Sequence, residues 1–108
     1  MFTDPLQPFT LVFVGHATAD SAARAGAYED AVVTLYADHG AQLLYRGRRS
    51  DDQDPSLPFE VHVTWFPHRA ALDAYLTDAR RVALLDQFGE VFTSKQVVEM
   101  QTISGLST

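Results

Sequence analysis

Phe59-Glu60-Val61-His62-Val63-Thr64-Trp65-Phe66-Pro67-His68-Arg69-Ala70-Ala71-Leu72 is the stretch whose reading decides the fold. Up to Phe66 the residues alternate in kind. Phe59, Val61, Val63 and Trp65 fall on one face and Glu60, His62, Thr64 and Phe66 on the other, the two-residue period of a strand. The first set is expected to face the core, the second to form a mostly polar face. Pro67 has no N–H to give a sheet but suits the first turn of a helix, and Leu72, Tyr75, Leu76 and Ala79 then recur at helical spacing. Asp78 can cap a continuation in which Val82, Leu84, Leu85 and Phe88 supply apolar surface, with Gly89 as the stop.

Upstream, Gln42 to Arg48 reads as a strand with Leu43, Tyr45 and Gly47 on one face and Gln42, Leu44, Arg46 and Arg48 on the other. The polar, proline-broken run Arg49 to Ser56 is an exposed loop joining the two strands into a hairpin. Before them, Asp20 or Ser21 can cap a long helix whose stripe is Ala25, Tyr28, Val32 and Leu35 and which ends at Gly40. Phe9 to His16 is the first strand, apolar on both faces and hence central, with Gly15 permitting close backbone approach. Met1 to Pro8 forms an arm able to pack on a partner subunit, Val91 to Ile103 a last strand, and 104–108 a small tail.

Strand, helix, strand, strand, helix, strand is the ferredoxin-like βαββαβ order, an α+β fold with a four-stranded antiparallel sheet and helices on one face only. With 108 residues there is room for one domain, 1–108, and one core. A second copy of the same sheet is the simplest cover for the bare face, which makes a homodimer the expected state. The formal charge of −6 disfavours nucleic acid and anionic membranes as partners, and no apolar run approaches the roughly 20 residues that span a bilayer. The N-terminus does not resemble a signal peptide, so a cytoplasmic location is expected. The absence of cysteine removes disulfides, thiolate catalysis and thiolate metal ligation.

Tyr36-Ala37-Asp38-His39-Gly40-Ala41-Gln42-Leu43-Leu44-Tyr45-Arg46-Gly47 and Val63 to Leu72, with the Phe66-Pro67 pair, resemble the dimeric α/β-barrel superfamily and, within it, the family of domain of unknown function 1330. That family has an acidic residue before the Phe-Pro pair and a serine after it, where this chain has Trp65 and His68. The resemblance implies two sheets facing each other across a dimer, with a small-molecule pocket in each protomer. Members include cofactor-independent monooxygenases, isomerases, cyclases and haem-degrading enzymes.

In that topology His16, Arg46, Arg48, Glu60 and His62 gather at one end of the sheet, although alternation alone leaves the register between strands open. His62 is the candidate base for a phenol or enol, Glu60 its orienting partner, and Arg46 an enolate or carboxylate binder. Tyr45, His16, Phe13 and Trp65 are the candidate substrate-binding residues. Structural roles compete: His62 can hydrogen-bond within the dimer contact, and Arg46 can be an edge-strand charge that discourages aggregation. His16, His62 and Glu60 offer metal donors, but no metal-binding spacing is present and no metal is expected; nor is there a nucleotide-binding glycine motif or a serine-hydrolase elbow. The leading expectation is a cofactor-free isomerase, cyclase or monooxygenase acting by proton transfer on an aromatic or polyketide-like molecule of secondary metabolism. The alternatives are a non-catalytic ligand-binding or accessory homodimer and, behind it, a haem-binding or haem-degrading protein.

Overall fold

The computed structural model describes residues 4–51 and 53–103; the start of the expected arm and the 104–108 tail lie outside the described residues. Strands β1 (Phe9–His16), β2 (Gln42–Arg48), β3 (Glu60–Phe66) and β4 (Ser94–Met100) form one sheet in the order β2-β3-β1-β4, every neighbouring pair antiparallel. Between them run helices α1 (Ala22–Val32), α2 (Arg69–Leu76) and α3 (Ala79–Phe88). This is the ferredoxin-like α+β fold, with the two-faced apolar strand β1 at a central position as its composition demands. No helix among the described residues is long and apolar enough to cross a membrane.

The expected long first helix changes character halfway. After Val32 the chain tightens into a 3-10 helix, Val33–His39, before Gly40 turns it at a φ of 72°. The β-branched run Val32-Val33-Thr34 is stiff at χ1, and the Thr34 hydroxyl donates to the Ala31 carbonyl at 2.6 Å, both of which weaken the α-helical ladder. Ser21 stands at the N-cap without capping through its side chain, its hydroxyl being turned toward Thr18. The second helical region is two helices. Asp78 caps α3 by accepting from the Arg80 N–H at 2.8 Å, and His68 caps α2 by accepting from the Ala71 N–H at 3.2 Å. The last strand is shorter than expected because Val91 and Phe92 turn inward as core residues.

The structure reverses the faces of β3. Glu60, His62 and Thr64 are each 1% exposed and Phe66 is fully buried, whereas Val61, Val63 and Trp65 are only half-buried. The polar set therefore faces the helices. It can do so because the groups packed against it satisfy its charges, while the apolar set is left on the open side of the sheet. In β2 a bulge between Leu43 and Tyr45 breaks the expected alternation: Leu43 pairs with Thr64, Tyr45 with Val63, and Arg46 with His62. Leu43, Arg46 and Arg48 thus share the helix-covered face, and Tyr45 and Gly47 the open one.

Beneath the helices the core is strongly aromatic. Phe9 stacks on Phe66 with ring centroids 5.6 Å apart, and Tyr36 on Tyr75 at 4.5 Å. The open face carries Val12, Val14, Val61, Val63 and Trp65, flanked by the exposed Tyr45, Val98 and Met100. By register Thr10, His16, Gln42 and Gln96 share this face, so it is apolar mainly along β1 and β3.

Candidate active site

Glu60 begins β3 with its carboxylate buried, and its cross-strand neighbours determine its state. The β2–β3 register sets Arg48 opposite Glu60 and Arg46 opposite His62. Both guanidinium groups fold back onto that carboxylate: Arg46 Nε donates to Oε2 at 2.7 Å and Arg48 Nε to Oε1 at 2.7 Å. They are held from the other side by Asp30 of α1, which accepts from Arg46 Nη2 at 2.8 Å and Arg48 Nη2 at 3.1 Å. His62, two residues along the same face, donates from Nε2 to Glu60 Oε2. Burial alone would raise the Glu60 pKa, but the bonds from His62, Arg46 and Arg48 outweigh it and hold the group at about 2. Glu60 is a fixed negative charge.

Glu29 of α1 approaches the same imidazole from the helix layer, its Oε2 lying 3.3 Å from His62 Nε2. It is 5% exposed and has no arginine within ion-pairing distance among the described residues. Desolvation raises its pKa from 4.5 to about 7; His62 opposes the shift and the nearby Glu60 charge reinforces it. One imidazole nitrogen, His62 Nε2, thus faces both a carboxylate that stays ionised in the neutral range and one that takes up a proton there.

Glu29 and His62 open onto a cavity of about 260 Å³ between the sheet and the helices. Phe13, Tyr28, Tyr36, Leu72 and Tyr75 form much of its wall, and the Phe13 ring lies 5.0 Å from that of His62. Arg81 of α3 also lines it, while the Arg69–Glu99 ion pair and Lys95 stand on its β4 side. An apolar chamber with a few convergent polar groups is the ordinary form of a small-molecule site.

Of the residues singled out in the sequence, His62, Glu60, Arg46 and Phe13 are brought together. Glu60 and Arg46 lie behind His62 rather than in the cavity wall, and the Arg46 guanidinium is taken up by Glu60 and Asp30. Tyr45, Trp65 and His16 stand on the opposite face of the sheet, carried there by the bulge in β2 and by the register of β3 and β1. The residue missed was Glu29. Its signal was present: it lies one helical turn beyond Ala25 and one turn before Val32, on the buried stripe itself.

Glu29, Glu60 and His62 each offer one ligand atom within 4.8 Å of the others, so they could together hold a divalent ion. The donor set differs from the one expected, with Glu29 in place of His16. Two guanidinium groups already occupying the Glu60 oxygens oppose a further positive charge there.

No protein-family model matches the sequence, and no curated protein matches it significantly. Among solved structures, a proposed antibiotic biosynthesis monooxygenase from Bacteroides thetaiotaomicron superposes with a TM-score of 0.76 at 6% identity, over 97% of this chain and 98% of that one. The chain has its ferredoxin-like fold. A protein of unknown function from Rhodopseudomonas palustris gives a TM-score of 0.70 at 13% identity, covering 94% of this chain and 87% of that one. A dimeric ferredoxin-like protein of unknown function from Bacteroides fragilis gives 0.67 at 12%, covering 88% and 96%. At such identities the likeness carries the fold and leaves the reaction to be argued from the site.

Proposed function

We propose that this chain is a homodimeric, cofactor-independent enzyme that moves a proton on an aromatic or polyketide-like small molecule, with Glu29 and His62 as the proton-transferring pair. The observation that carries this reading is the buried Glu29–His62–Glu60 array at the wall of an aromatic-lined cavity. Ionised Glu29 takes a proton from an acidic C–H or O–H of the substrate and returns it at another position. His62 Nε2 faces both carboxylates: the fixed negative charge of Glu60 favours the protonated form of Glu29 and His62 favours its ionised form, which leaves both forms accessible near neutral pH. Arg46 and Arg48 keep Glu60 ionised and still. Isomerisation and cyclisation need no more than this; oxygenation would add dioxygen to the same carbanion. The name of the B. thetaiotaomicron protein supports a small-molecule role without fixing the reaction. The open sheet face, apolar across β1 and β3, supports pairing with a second copy.

The test is deuterium exchange into the ring positions of naphthoresorcinol in D₂O, followed by NMR. The protein is expected to accelerate exchange, and Glu29→Gln and His62→Ala are each expected to lower the rate by on the order of 100-fold, the usual scale of general acid–base catalysis. Binding with no acceleration would instead favour a ligand-binding dimer. That second reading has one observation of its own, the complete engagement of Glu60 by both arginines and His62.

A further inference from the structure

Arg81 lies in the first turn of α3, where the helix dipole opposes positive charge, and there is no acidic residue in that turn to offset it. Arg46, Arg48, Arg69 and Arg80 each pair with carboxylates. Arg81 has no carboxylate within ion-pairing distance among the described residues. Its Nη1 donates to the Leu76 carbonyl at 3.2 Å, and its guanidinium lies 5.3 Å from the centre of the Tyr75 ring. Its Nε is buried and has no hydrogen-bond partner among the described residues. A charged donor left so is costly unless something else satisfies it. The same side chain lines the cavity that Glu29 and His62 enter.

We infer that Arg81 is the anion-binding residue of this cavity, and that the natural ligand is a planar organic acid carrying a carboxylate or an ionised enol on Arg81. The inference rests on the cavity being the functional site proposed above. An anionic oxygen in the cavity would supply the carboxylate partner that Arg81 lacks among the described residues, and the planar guanidinium fork suits a carboxylate. Around it, burial raises the pKa of Tyr28, Tyr36 and Tyr75, so their phenols remain protonated. Arg69 is the other arginine on the cavity wall, and Glu99 occupies it. The charge on Arg81 also reaches Glu29 and favours its ionised form, so the anion and the proton-transfer groups share one chamber.

The experiment is calorimetric titration with hydroxynaphthoate and with its neutral amide, which differ in charge and little in shape. The wild-type chain is expected to bind the acid at least about tenfold more tightly than the amide, the scale of one charged hydrogen bond. Arg81→Met should abolish that preference by weakening the acid alone, and Arg81→Lys should restore part of it. Equal binding of acid and amide by the wild type, or acid binding undiminished in Arg81→Met, would overturn the assignment. Acid preference without proton exchange on naphthoresorcinol would remove the proposed reaction and leave Arg81 as assigned; proton exchange without acid preference would do the reverse.

Discussion

Glu29 and Glu60 flank the same imidazole and respond to pH in opposite senses. The raised pKa of Glu29 favours the folded state fully below its ordinary value of 4.5, and this contribution is lost as pH rises through about 7. Glu29→Gln should therefore be more stable than the wild type above neutrality, by on the order of 2 kcal/mol at pH 9 in chemical denaturation. Glu60 behaves conversely: its contribution is present above 4.5 and is lost as pH falls through about 2. Glu60→Gln leaves Arg46 and Arg48 with Asp30 as their remaining carboxylate partner, and should cost about 3 kcal/mol near neutral pH by the same measurement. Much of this cluster was legible in the sequence. Positions two apart in a strand share a face, and the hairpin brings Arg46 and Arg48 within reach of Glu60. The spacing of Glu29 marked it as a buried carboxylate but not its meeting with His62, because which helical residue meets a given strand residue depends on how the layers pack.

Among the elements, β1 is tuned by a glycine. A Cβ at Gly15 would come within 2.8 Å of both the Phe13 and Phe92 rings, so Gly15→Ala must displace a wall of the cavity. It should destabilise the fold by about 1–3 kcal/mol, the usual cost of overpacking, and weaken ligand binding in calorimetry. Strand and helix positions were readable from their periods, and the caps at Asp78 and Gly89 fell where those residues stand. The orientation of the sheet was not. Polarity separates the faces of β3 but does not say which one the helices cover, and here the helices bring Glu29 and Asp30 to meet the charged set. The bulge in β2 was equally hidden, since Leu43-Leu44 gives no pattern that distinguishes an extra residue from regular alternation.

At the scale of the whole molecule, a four-stranded sheet with helices on one side leaves Val12, Val14, Val61, Val63 and Trp65 without a covering layer in a single chain. On the proposed reading a second copy supplies it. Light scattering should then give twice the 12.0 kDa chain mass, and Val63→Glu should reduce it to the monomer while leaving the helix-covered site folded. The account's central claim is narrower: Glu29 holds a proton that can move at neutral pH beside an imidazole anchored by Glu60. Carbon-13 NMR titration of the glutamate side-chain carboxyls tests it most directly. The account predicts that the resonance lost in Glu29→Gln titrates near pH 7 while that of Glu60 is still ionised at pH 4. A Glu29 resonance titrating near its ordinary 4.5 would contradict it.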